Sequence, residues 1–161
     1  EVVRLLLDAD ACEDDIALTR RALQDAVFFG HAEVVLLLVE AGAKQDWQDY
    51  HGRTALMRAV ASGHTEIARY LVDTGANQDL RNTAGVTALM LAAVYGHTEI
   101  ARLLVEAGAD TEVVDSHGRT ALEHARLRKR RSHAKIAALL QEATPNAAGT
   151  KVKRPRLSPR L

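Results

Sequence analysis

Two sets of side chains in this sequence have types that could do chemistry. Asp8, Asp10, Glu13, Asp14 and Asp15 form an acidic run near the start, and His31, His64 and His97 recur at a step of 33 residues. The acidic run has the oxygen-rich composition of a calcium loop, but such a loop needs glycine at its sixth position and glutamate at its twelfth. Glu13 and Thr19 stand there instead, so the run reads as a solvated loop. A zinc ion needs ligands at ~2 Å, whereas equivalent residues of stacked helices stand ~8–10 Å apart. The recurring histidines are therefore expected to pack and hydrogen-bond at turns, and no metal or cofactor is expected. His124 and His133 show no ligand spacing. Cys12 sits among carboxylates, which oppose thiolate formation. No glycine-rich phosphate loop, HExxH motif, nucleophile elbow or kinase signature occurs. The expectation is a chain without enzymatic activity.

The composition says what such a chain could do instead. Its 161 residues are 47% hydrophobic, enough for one domain with its own core. No apolar run approaches the ~18 residues of a membrane span. A single cysteine makes no internal disulfide, which favours a cytoplasmic setting. The chain begins at Glu1 without methionine, so a fragment or a processed product is expected. The net charge of zero is made of two opposed parts. Residues 1–125 carry 20 acidic and 10 basic side chains, and residues 126–161 carry 11 basic and one acidic.

Glycine supplies the elements that must position any functional residue. Nine of the ten glycines form three series: Gly30, Gly63, Gly96; Gly42, Gly75, Gly108; Gly52, Gly85, Gly118. Every step is 33 residues. Three breaks per unit mean two short helices and one turn. Thr54 is placed to cap the first helix and Gly63 to end it. Ile67, Ala68, Leu71 and Val72 make one stripe of the second, which Gly75 ends. Helices this short are unstable alone, so units must stack into a solenoid.

The aligned segments are Gly52-Arg-Thr-Ala-Leu-Met, Gly85-Val-Thr-Ala-Leu-Met and Gly118-Arg-Thr-Ala-Leu-Glu, with Gly63-His-Thr-Glu-Ile-Ala-Arg and Gly96-His-Thr-Glu-Ile-Ala-Arg in the second halves. In these the chain resembles the ankyrin-repeat family across residues 1–143. The resemblance implies an all-α solenoid of stacked helix-turn-helix units with projecting hairpin loops. A half repeat spans 1–20, and repeats span about 21–51, 52–84, 85–117 and 118–143. The family's Thr-Pro-Leu-His is Thr-Ala-Leu-Met here, so a looser approach to each helix start is expected. The last unit carries a three-residue insertion, since Ile67 to Ile100 is 33 residues but Ile100 to Ile136 is 36.

The resemblance also implies a function: binding another protein as a scaffold or adaptor, through a concave face of hairpin loops and first helices. By register that face holds Tyr50, His51 and Arg53; Arg81; His117 and Arg119; and, just before the turn glycines, Phe28, Phe29, Val94 and Tyr95. Four of the six aromatics fall on those positions, and Trp47 lies in the same loop as Tyr50. Such a grouping has the makings of a binding hot spot. Trp47 aligns with Leu80 and Val113, which equally suits packing between loops, and Phe28 and Phe29 equally suit filling an irregular first loop.

Arg126-Leu-Arg-Lys-Arg-Arg131 is expected in the turn of the last repeat. Residues 144–161 read as a disordered basic tail with Lys151, Lys153, Arg154 and Arg156. Lys153-Arg-Pro-Arg156 resembles a nuclear import signal, so a nuclear regulatory protein is an alternative reading. A targeting domain of a larger enzyme is another. The same basic end could contact nucleic acid weakly.

Overall fold

The computed structural model describes residues 13–128 and 130–144, with side chains from Leu18 onward. The expected sites at Lys151, Lys153, Arg154 and Arg156 lie outside the described residues, as does Cys12. Among the described residues the secondary structure is eight helices and no strand. They are α1 (Glu13–Phe29), α2 (Ala32–Glu40), α3 (Ala55–Ser62), α4 (Thr65–Asp73), α5 (Ala88–Tyr95), α6 (Thr98–Glu106), α7 (Ala121–Arg126) and α8 (Arg131–Ala143). The fold is all-α, with odd-numbered helices stacked in one layer and even-numbered helices in a second.

Local chemistry explains the shortness of the elements. Thr54, Thr87 and Thr120 stand in extended backbone before α3, α5 and α7, and each Oγ1 accepts a bond from the backbone N–H three residues on. That satisfies one of the orphan donors of a helix start. The first-helix starts are therefore capped by threonine without the family's proline. Ala55 and Ala88 lie in the core, as does Ala121. Where Met57 and Met90 have their counterpart, Glu123 closes a reciprocal cap on Thr120. Gly63 ends α3 at φ 76°, and a Cβ there would lie 2.8 Å from Cε1 of His97. Glycine is needed both for the backbone angle and for the approach of the next unit.

The core runs the length of the stack. Leu56, Met57, Leu71, Leu89, Met90, Ile100, Leu104, Ile136 and Leu140 are all but fully buried. Each contributes roughly 1.5–3 kcal/mol of transfer free energy. Alanines at 59, 68, 92, 93, 101 and 125 let neighbouring helices approach closely.

Two elements differ from expectation. α1 has 17 residues, so Glu13, Asp14 and Asp15 are helical and not part of a solvated loop. It also crosses the expected boundary between residues 20 and 21. In the last unit the basic run expected in the turn is partly helical: Arg126 ends α7 and Arg131 begins α8, which starts two residues before His133. α8 then supplies His133, Ile136 and Leu140 to the core.

Candidate functional site

The hairpins that join the units form one ridge. Each closes on itself in the same way: Asp49 N–H donates to the Arg53 carbonyl at 3.0 Å, Asn82 N–H to Val86 at 3.0 Å, and Asp115 N–H to Arg119 at 2.9 Å. Each is also tied to the next. Thr83 N–H donates to the His51 carbonyl and Ser116 N–H to the Ala84 carbonyl, both at 3.0 Å. Gly52 permits this contact, because a Cβ on it would lie 2.8 Å from Thr83 N. Gln48 Nε2 donates to the Arg81 carbonyl at 2.9 Å, and Arg81 Nη2 donates to the Val114 carbonyl at 2.7 Å. The hairpin tips are therefore held in one line by backbone and side-chain bonds.

Beneath the tips lie two buried carboxylates. Asp49 Oδ1 accepts from the N–H groups of His51 and Arg53, and its Oδ2 from Arg58 Nη2 at 2.8 Å and Arg53 Nε at 3.3 Å. Burial pushes this carboxyl up, but those donors outweigh it and hold it below the ordinary value. Asp115 repeats the arrangement with His117 N–H, Arg119 N–H and Nη2, and His124 Nε2 at 2.9 Å. Here too burial is outweighed, and the carboxyl lies well below the ordinary range. In the unit between, Asn82 Oδ1 accepts from Ala84 and Val86 N–H, each at 2.9 Å.

The candidate residues therefore divide. Arg53 and Arg119 anchor buried carboxylates, and Arg81 bridges two loops while its Nε donates to the Gly85 carbonyl. These arginines hold the ridge together as well as lying on its surface. His51 and His117 give backbone N–H bonds to the same carboxylates, and the His51 ring lies tilted against Tyr50 with ring centres 4.1 Å apart. Tyr50 is 84% exposed, the most open of the aromatics at the tips. Trp47 is half-buried under the Arg20 guanidinium, 5.9 Å from its ring centre.

At the other end of the first helices, Phe28, Phe29 and Tyr95 are more than half exposed, and Val94 is half-buried beside Tyr95. Phe28 and Phe29 meet edge to face at 5.2 Å. Phe29 and Tyr95 each lean over the turn towards the histidine two residues on, with ring centres 6.2 Å and 6.1 Å apart. The candidate residues thus form two groups, one at the hairpin tips and one at the helix ends, joined by the exposed flank of α3 and α5.

The histidines bridge units. His64 Nε2 lies 3.2 Å from the Phe28 carbonyl, and His133 Nε2 lies 3.1 Å from that of Val94. His133, which the sequence reading set aside, occupies the place of His97 one unit on, behind the three-residue insertion. Asp49, Asp115, Arg58 and His124 were also missed. Their signal was a fixed separation of nine residues between a loop position and a helix position. Among the described residues no group of three or more His, Cys, Asp or Glu side chains is placed to hold a metal ion, and no helix is long and apolar enough to cross a membrane.

Comparison with known families gives two matches. A model described as ankyrin repeats (3 copies) matches residues 1–82. A second, described as ankyrin repeats (many copies), matches residues 71–125. No curated protein matches the chain.

Proposed function

The chain belongs to the ankyrin-repeat family, whose repeats are in general protein-interaction modules, and from that premise we propose a non-enzymatic scaffold or adaptor that binds its partner on the concave face. One observation carries the placement. Every aromatic side chain more than half exposed among the described residues lies at a hairpin tip or in the last turn of a first helix: Tyr50, Phe28, Phe29 and Tyr95. Large apolar groups left in water at such positions gain most when a partner covers them. The ridge beneath is stiffened by bonds between loops, so little order remains to be imposed on binding.

The test begins with capture of partners by the purified chain and identification of the one retained most strongly. Its affinity is then measured against Tyr50→Ala and Tyr95→Ala. Loss of affinity in both variants with unchanged melting supports the reading. Unchanged affinity in both places the interface elsewhere.

A further inference from the structure

The charge on this face is not that of the rest of the array. Between Ala26 and Thr120 the exposed carboxylates all lie on α2, α4 and α6 or on the first limbs of the hairpins, at 44–47, 77–80 and 110–113. The two remaining carboxylates, Asp49 and Asp115, are buried and already bonded. The other charged side chains of the tips and first helices of these units are cations: Arg81 is exposed, and Arg53, Arg58 and Arg119 are half-buried. Among the described side chains, two acids lie on the first helices outside that span: Asp25 on α1 faces Arg21 at 3.8 Å, and the exposed Glu123 on α7 accepts from Thr120 N–H at 2.7 Å.

These arginines are prepared for an anion. Asp49 engages Arg53 through Nε, leaving Nη1 and Nη2 without a partner among the described residues. Asp115 engages Arg119 through Nη2; Nε is buried without a partner, and Nη1 is left without one among the described residues. Arg81 is fixed by two carbonyls through Nε and Nη2, and Nη1 remains. A guanidinium already held in place loses little freedom when it meets a carboxylate. There is one such group in each of three consecutive hairpins. Stacked units stand ~10 Å apart and extended chain advances ~3.3–3.6 Å per residue, so about three residues span one hairpin.

We propose that this face takes an acidic segment in extended conformation, with a carboxylate about every third residue set against Arg53, Arg81 and Arg119 and an apolar side chain set against Tyr50. The proposal rests on the reading of this face as a protein-binding surface and adds the chemistry of the partner. A polypeptide fits better than nucleic acid. Two of the positive charges are offset by buried carboxylates, and a phosphate backbone needs many cations.

The experiment is selection of a random-peptide library on the immobilised protein, followed by fluorescence anisotropy at near-physiological salt. Supporting results are enrichment of peptides with Asp or Glu at three-residue spacing and affinity that weakens as salt rises. Arg53→Gln with Arg119→Gln should lower that affinity roughly tenfold, and Arg53→Lys with Arg119→Lys should recover part of it. Enrichment of neutral or basic peptides that lose binding in Tyr50→Ala overturns the acidic partner and leaves the face standing. Peptides indifferent to both Tyr50→Ala and Tyr95→Ala overturn the face as well. A single-stranded oligodeoxynucleotide that binds more tightly than any selected peptide, or a dimer of the chain that the glutamine variants dissolve, also overturns the proposal.

Discussion

Asp115 and His124 are joined across 2.9 Å inside the last described unit, with the carboxylate 5% and the imidazole 9% exposed. The same two positions hold Asp49 and Arg58 two units earlier, and Asn82 and Leu91 in the unit between. Where the loop residue carries a charge, the helix residue is a cation or can become one. Where the loop residue is the neutral amide, the helix residue is apolar. The backbone bonds to the loop are common to all three, so the charge is an addition to the turn and not its basis.

Asp115→Ala should cost about 3 kcal/mol, because it leaves two backbone N–H groups and a buried imidazole without an acceptor. Asp115→Asn keeps the backbone bonds and should cost about 1 kcal/mol. Adding His124→Leu to Asp115→Asn installs the pair that already serves at 82 and 91, and should recover most of that loss. Urea unfolding of the single and double variants measures the coupling. Additive costs would show that the two positions act independently.

Stability should fall in acid for an identifiable reason. Asp49 and Asp115 have folded-state pKa values below the ordinary 3.8. A depressed carboxylate stabilises the fold fully above its unfolded value and loses that contribution as pH falls through the folded value. Urea midpoints should therefore be level near neutrality and drop as pH falls below about 5. The Asp49→Asn, Asp115→Asn double variant should show a shallower drop.

Two glycines with similar backbone angles should respond differently to alanine. Gly75 has φ 94° and nothing within 4 Å of an added Cβ, so Gly75→Ala should cost roughly 1–2 kcal/mol for the left-handed backbone alone. Gly63→Ala meets the His97 ring as well and should cost visibly more. Thermal melts of the two variants decide it.

His133 should matter more than His31. His133 is 2% exposed and reaches the Val94 carbonyl, so His133→Ala should cost about 2 kcal/mol in lost packing and an unpaired carbonyl. His31 is exposed, and His31→Ala should stay within about 0.5 kcal/mol. Equal costs would show that the imidazole bridge contributes nothing to docking the last unit.

Tyr50→Ala should leave the melting temperature almost unchanged, since the ring is 84% exposed. In the partner complex it should cost about 1–3 kcal/mol of binding. Calorimetry of the free chain and titration of the complex separate the two effects.

The helices, their caps and their stacking were legible because glycine and threonine recur at a fixed interval, and those residues mark ends for local steric and hydrogen-bonding reasons. The length of α1 was not, because its first residues are acidic and carry no apolar stripe to mark them as helix. His133 was hidden by three inserted residues that shift it out of the simple register. The candidate face was legible as positions but not as roles. Arg53 and Arg119 bond to Asp49 and Asp115 at a four-residue spacing within one hairpin, whereas the bond from Arg81 to the Val114 carbonyl depends on how one hairpin lies against the next, which single-unit spacing does not reveal. Column-by-column pairing of positions nine apart would have exposed Asp49 with Arg58 and Asp115 with His124.

The bonds from each hairpin to the next also give the molecule a mechanical character. Substantial contacts between helices run only within a unit or between neighbouring units, and the ties at His51–Thr83 and Ala84–Ser116 repeat at the same interval. Under tension applied at its ends, such a stack has no single clasp whose failure releases everything. It should yield from a terminus, one unit at a time. Each release frees 33 residues of chain, roughly 120 Å of extended length at ~3.6 Å per residue. Such an array should lengthen in steps while the units still stacked keep their hairpin ridge intact.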